Sequence, residues 1–89
     1  MEITFDQAKD KSNMARHGVS LADAVKLDWH SVMVKPDTRR DYHELREIGY
    51  GVIEDRLYCV VIVQRGTAFH IISLRKANSR EVKEYVEQT

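Results

Sequence analysis

The fold turns on residues 45–76, LREIGYGVIEDRLYCVVIVQRGTAFHIISLRK. Three apolar runs stand in this stretch, separated by short polar breaks. Leu45 to Glu54 alternates, so that Arg46, Ile48, Tyr50 and Val52 share one side of an extended chain. Leu57 to Gln64 is apolar almost throughout, the pattern of a central strand covered on both faces. Ala68 to Arg75 is the third run. The connectors, Glu54-Asp55-Arg56 and Arg65-Gly66, are hairpin-sized, which predicts an antiparallel meander. Parity then constrains the last strand. His70, Ile72 and Leu74 point one way, and Phe69, Ile71, Ser73 and Arg75 the other. His70 and Arg75 share a face only if a bulge intervenes or Arg75 reaches around the strand end.

Outward from the meander, Glu2 to Phe5 reads as a short first strand. Asp6 is placed to cap a helix running to about Arg16, and Gly18 to end it. Ser20-Leu21-Ala22-Asp23 has the shape of a capping box and predicts a second helix over 21–28, burying Leu21, Ala24 and Val25. Ser31 to Lys35 is a short strand closed by Pro36, and Pro36 to Asp41 is a polar loop. Asn78 or Ser79 caps a last helix, with Glu81 three residues after Asn78 and Val82, Tyr85 and Val86 on one side. The expected fold is α+β: a small antiparallel sheet of three to five strands, two N-terminal helices and one C-terminal helix. Helices on one face leave the other free to bind. No repeat or linker interrupts the chain, so residues 1–89 are expected to form a single domain.

Hydrophobic residues make up 43% and charged residues 31% of the sequence, as in ordinary globular proteins. No apolar run approaches the ~18 residues of a membrane span. The N-terminus lacks the basic start and apolar stretch of a signal peptide, and the single cysteine, Cys59, has no internal partner. Cytoplasm is the expected compartment. Net charge is zero, yet Arg56, Arg65, Arg75, Lys76 and Arg80 fall in a segment without one acidic residue. Such an island suits phosphate, and it equally suits strand ends kept in water. The four histidines show no metal-ligand spacing, and neither a Gly-rich phosphate loop nor a nucleophile motif is present. No cofactor is expected.

Several stretches together resemble the BrnT-type toxins of type II toxin–antitoxin systems. They are Phe5-Asp6-x-x-Lys9; Asn13-x-x-Arg16-His17-Gly18-Val19-Ser20-Leu21-x-x-Ala24; Arg46-x-Ile48-Gly49; Ile71-Ile72-Ser73-Leu74-Arg75-x-Ala77; and Arg80-Glu81-x-x-x-Tyr85. The resemblance leaves out residues 26–44. It implies a fold like the RelE-type microbial ribonucleases and RNA cleavage that stops translation. It also implies neutralisation by a small BrnA-like antitoxin, through which alone the complex reaches operator DNA. Phe5 stands where the family usually has Trp, His70 where it usually has Arg, and Leu74 where it usually has Ala.

Metal-free RNA cleavage needs a base for the 2′-hydroxyl, an acid for the 5′-oxygen and cations for the crowded phosphorane. Arg46 and Arg75, at matching family positions, are the expected phosphate contacts, because a guanidinium stays charged and grips two oxygens. His17 is the acid–base candidate, and the C-terminal end of its helix is expected to favour the protonated form. Tyr85 offers a hydroxyl or anchors the last helix. Glu81 completes a cap or orients an arginine. Lys9, Arg16, His70, Lys76 and Arg80 are the candidate RNA-binding side chains. A second reading makes the chain a weak or inactive subunit that serves as co-repressor; zero net charge and His70 favour it. A third reading is an unrelated α+β binding domain.

Overall fold

The computed structural model describes residues 2–89. The chain runs β1 (Glu2–Thr4), α1 (Gln7–His17), a 3₁₀ helix (Leu21–Lys26), β2 (Met33–Pro36), β3 (Glu47–Ile53), β4 (Arg56–Arg65), β5 (Ala68–Lys76) and α2 (Ser79–Gln88). The sheet order is β1-β5-β4-β3-β2. The predicted meander is present as β3, β4 and β5, with β2 antiparallel on the β3 edge. The sheet as a whole is mixed rather than antiparallel, because β1 lies parallel to β5. The hairpins leave the β5 edge unpaired, and β1 fills its start, with Thr4 opposite His70.

The second N-terminal helix is a 3₁₀ helix, and the reason lies in the spacing of its apolar residues. Leu21, Ala24 and Leu27 recur every third residue and are all buried. A three-residue turn stacks them on one side and leaves Val25, expected in the core, 65% exposed. Ser20 accepts the Ala22 N–H, while Asp10 of α1 accepts from the Leu21 N–H and the Ser20 hydroxyl. Helix α1 begins at Asp6, whose carboxylate accepts the N–H groups of Ala8 and Lys9. It ends at Gly18, where φ is 70°.

Two layers of side chains follow from the strand register. On the core face, Ile53, Val60, Ile62, Ile71 and Leu74 meet Val19, Leu21, Ala24 and Leu27. Each fully buried aliphatic side chain there contributes about 1.5–3 kcal/mol. Gly51 keeps this face open for the segment before β2: a Cβ at that position would come within 2.7 Å of Val32. The second face carries Tyr50, Cys59 and Arg75 side by side, since Tyr50 pairs with Cys59 and Cys59 with Arg75. Leu57, Cys59, Val61 and Val63 are buried on it too, which accounts for the unbroken apolar run of β4. Helix α2 follows β5 and holds this face through Glu81.

A bulge decides the parity of β5. Val61 pairs with Ser73 but Ile62 with Ile71, leaving Ile72 as the extra residue. Ile71 and Leu74 therefore both reach the core face, and His70 comes round to the face of Arg75.

The β5 edge beyond His70 has no strand partner. The buried Asn13 amide of α1 takes that place, donating to the Leu74 carbonyl at 2.7 Å and accepting the Leu74 N–H at 3.3 Å. Its second amide hydrogen goes to the Val19 carbonyl at 2.8 Å. Asn13→Ala strands three buried backbone groups and should cost about 3 kcal/mol or more. In thermal unfolding, the expected fall in midpoint is more than about 10 °C for a domain of this size. Asn13→Asp should be destabilised most above its carboxyl pKa, where an anion faces two carbonyl oxygens.

Candidate functional site

Arg75 is the centre of the arrangement. Its Nη1 and Nη2 donate to the two Glu81 carboxylate oxygens at 2.8 and 2.9 Å, and Nη1 also reaches the Lys76 carbonyl at 3.3 Å. Glu81 is held in turn. Its Oε1 accepts the Asn78 N–H at 2.9 Å, closing a capping box at the start of α2, and its Oε2 accepts the Tyr50 hydroxyl at 3.1 Å. The same carboxylate thus completes a cap and orients an arginine, the two duties weighed for it from sequence. The Arg75 guanidinium, outweighing the cost of burial, pulls Glu81 down to a pKa of about 2. Burial beside Cys59 and Glu81 pushes the Tyr50 phenol up, so it stays a donor. Burial likewise raises the Cys59 thiol, against the opposing charge of Arg75.

The end-on pairing fixes which donors remain. Arg75 Nε–H and the Nη2–H beside it have no hydrogen-bond partner among the described residues, and they are parallel and coplanar by the geometry of the guanidinium. That edge is a ready fork for two phosphate oxygens.

His17 ends α1 one turn beyond Asn13. Its pKa is lowered from 6.5, first by partial burial, then by Arg16 and by Arg75. The helix C-terminus was expected to favour the imidazolium; desolvation and two neighbouring cations prevail instead. The imidazole is therefore neutral near pH 7 and able to accept a proton.

The remaining candidates divide. Arg46 does not join Arg75. It precedes Glu47, which is opposite Ile62, whereas Arg75 is opposite Cys59. The offset is four residues along β3, roughly 13 Å at strand rise. Arg46 lies over the Tyr42 ring at 4.0 Å, and its buried Nε has no hydrogen-bond partner among the described residues. His70 is on the Arg75 face but near that far end, with Nδ1 2.9 Å from Thr4 Oγ1. Its pKa is lowered by burial and by Arg65. Lys76 points to the opposite face from Arg75, pairing with Tyr58 in the ladder and lining a hollow with Asp23, Glu54 and Asp55. Tyr85 lines a cleft of about 110 Å³ with Met33, Lys35, Tyr50 and Glu81, on the β2 side of the carboxylate. Lys9, Arg16 and Arg80 are exposed on α1 and α2.

The cationic island therefore disperses. Arg56 donates to the Ala77 carbonyl at the β3–β4 hairpin, and Arg65 approaches Glu44 at the other end of the sheet. Two side chains held by carboxylates, Tyr50 by Glu81 and Arg39 by Asp37, escaped sequence reasoning. Tyr50 was read only as a strand residue; its parity with Arg46 was visible, its pairing with Cys59 and Arg75 was not. Arg39 was read as part of a polar loop. Among the described residues, no group of three or more His, Cys, Asp and Glu side chains converges as a metal would require. Among the described residues, no helix is long and apolar enough to cross a membrane.

Fold and site together define a small α+β domain whose sheet presents a carboxylate-held arginine near a neutral histidine, side chains suited to phosphodiester chemistry. A family model described as the ribonuclease toxin BrnT of type II toxin–antitoxin systems matches residues 5–81. The chain belongs to this family of ribonuclease toxins, whose place in a type II system implies a protein antitoxin as partner and RNA as target. No curated protein matches the sequence.

Glu81 ties stability to pH. Its folded pKa of about 2 lies below its ordinary value of 4.5, so its contribution is complete above 4.5 and fades as pH falls toward 2. Acid titration of unfolding free energy should show this loss. Glu81→Gln should remove that part of the slope and lower stability at pH 7 by about 2 kcal/mol.

Proposed function

We propose that the chain is an endoribonuclease toxin that cleaves RNA without a metal, by attack of the 2′-hydroxyl on the adjacent phosphorus. The observation that carries this is the Arg75–Glu81 pair, which turns an otherwise mobile guanidinium into a fixed fork with its Nε edge unengaged. In this reading that edge holds two non-bridging oxygens and stabilises the charge that builds on the phosphorane. Neutral His17 accepts the 2′-hydroxyl proton as the oxygen–phosphorus bond forms. The bond to the 5′-oxygen breaks, the leaving oxygen takes up a proton, and a 2′,3′-cyclic phosphate remains. Arg16 and Arg80 meet flanking phosphates, and Lys9 one farther along α1, contacts that tolerate loose geometry. Tyr85 anchors α2, and Arg46 holds loop 37–46 through Tyr42.

The biological reading follows the family. Cleavage inhibits translation, and a BrnA-like antitoxin neutralises the toxin and carries the complex to operator DNA. The sheet and its helices are read as a variant of the RelE-type ribonuclease fold. A co-repressor without activity is the second reading, favoured by His70: its lowered pKa leaves it uncharged near pH 7, where the family has a permanent cation.

Cleavage of a short labelled RNA by the purified chain in EDTA tests this. The expected product carries a 2′,3′-cyclic phosphate. Arg75→Ala, with its fold checked by circular dichroism, should lose about 10²–10³ in rate. The rate should fall as pH drops through and below the lowered His17 pKa, and His17→Ala should lack that limb. A folded wild-type chain that leaves RNA intact would assign the co-repressor role.

A further inference from the structure

Loop 37–46 carries a second guanidinium built on the same plan as Arg75. Pro36 pairs with Glu47, and the Asp37 N–H donates to the Arg46 carbonyl at 2.7 Å, so the β2–β3 ladder continues one residue past the strand. Parity then sets Asp37 on the face of Met33 and Lys35, which is the face of Tyr50, Cys59 and Arg75. The Asp37 side chain is 0% exposed, and that of Arg39 is 66% exposed. Between them run three bonds. Asp37 Oδ1 accepts the Arg39 backbone N–H at 3.2 Å and Nε at 2.8 Å, and Oδ2 accepts Nη2 at 2.8 Å. The carboxylate is thus sunk in the protein while the guanidinium stands in water.

The pairing is side-on, using Nε and Nη2. It leaves Nη1 and the Nη2–H that faces it without partners among the described residues, so the end-on fork is unengaged. Arg75 is the complement: its end-on fork is bound and its side-on edge is open. The charges of both arginines reach the Cys59 thiol, so both guanidiniums lie within electrostatic range of that residue. An exposed pair of this kind adds little to stability, and burying its carboxylate carries a desolvation cost. Neighbouring Arg40, exposed, has no such clamp. Orientation is what the clamp secures. A single-stranded polyanion that meets Arg75 with one phosphate brings its next phosphates along the same face.

We propose that Arg39 is a substrate-binding residue of the RNA site, its end-on fork gripping a further phosphate of the strand that Arg75 holds. This rests on the ribonuclease reading of the Arg75 face.

The test is binding of a fluorescein-labelled, fully 2′-O-methylated RNA oligonucleotide, which cannot be cleaved, across a NaCl series. Asp37→Asn/Arg39→Gln removes the guanidinium without stranding a buried charge, and a thermal midpoint near wild type verifies its fold. It should bind roughly tenfold more weakly at low salt. Its plot of log affinity against log salt should be shallower by about 0.7, one phosphate contact. Arg39→Lys, which keeps the charge and loses the fork, should weaken binding several-fold at unchanged slope, and it decides the matter if the double variant does not fold. Lys26→Gln, on the far side of the molecule, should match wild type. Wild-type affinity and slope in the Arg39 variants overturn the proposal; if Arg75→Gln weakens binding in the same series, the RNA site itself stands. If Arg75→Gln is also silent, the reading of this face as the RNA site falls, and the proposal with it.

Discussion

The Asn13 side chain serves as a missing strand. Edge strands carry a row of unsatisfied N–H and C=O groups, and β1 covers only the first part of the β5 edge. Beyond it, one amide supplies both a donor and an acceptor to Leu74, the spacing that a neighbouring backbone would offer. Its third bond reaches Val19, so the turn after α1 is fastened by the same group. Much of the site depends on this contact. Arg75 is the residue after Leu74, and His17 lies one turn after Asn13. The amide that satisfies a sheet edge therefore also sets the approach of the imidazole to the guanidinium.

A protein of zero net charge cannot rely on long-range attraction to gather a polyanion. This chain instead fixes the direction of individual cations. Arg75 is held by Glu81, which Tyr50 and the N-cap of α2 hold in turn. A carboxylate beside an arginine reduces the local field, and in return the guanidinium loses little rotamer entropy when a ligand binds. Membership of the ribonuclease toxin family gives that geometry its chemical context. In the proposed reaction, the open edge of Arg75 is where the geometry and the family meet.

The bulge at Ile72 shows how local irregularity serves both layers. With regular pairing, Ile71 and Leu74 would fall on opposite faces. The extra residue lets both enter the core and turns His70 toward the second face, where Thr4 meets it. Core packing and the placement of a site-face histidine are thus one event in the ladder.

The sequence by itself determined what depends on periodicity and local chemistry. Unbroken apolarity in β4, alternation in β3 and hairpin-length connectors dictated the meander. Asp6, Gly18, Asn78 and Glu81 announced helix ends, because caps are local hydrogen bonds. The motifs around His17 and Arg75 marked the family. The tertiary structure decided what depends on register. Period-three spacing of Leu21, Ala24 and Leu27 was visible, yet only packing against the sheet selected a 3₁₀ helix over an α-helix. Strand pairing separated Arg46 from Arg75 and sent Lys76 to the other face, since one residue of parity reverses a side chain. It also brought Tyr50 onto the face of Arg75 across 25 residues, and sank Asp37 beneath Arg39 in what read as a polar loop. Those partnerships are long-range or depend on burial, and no local pattern in the chain encodes them.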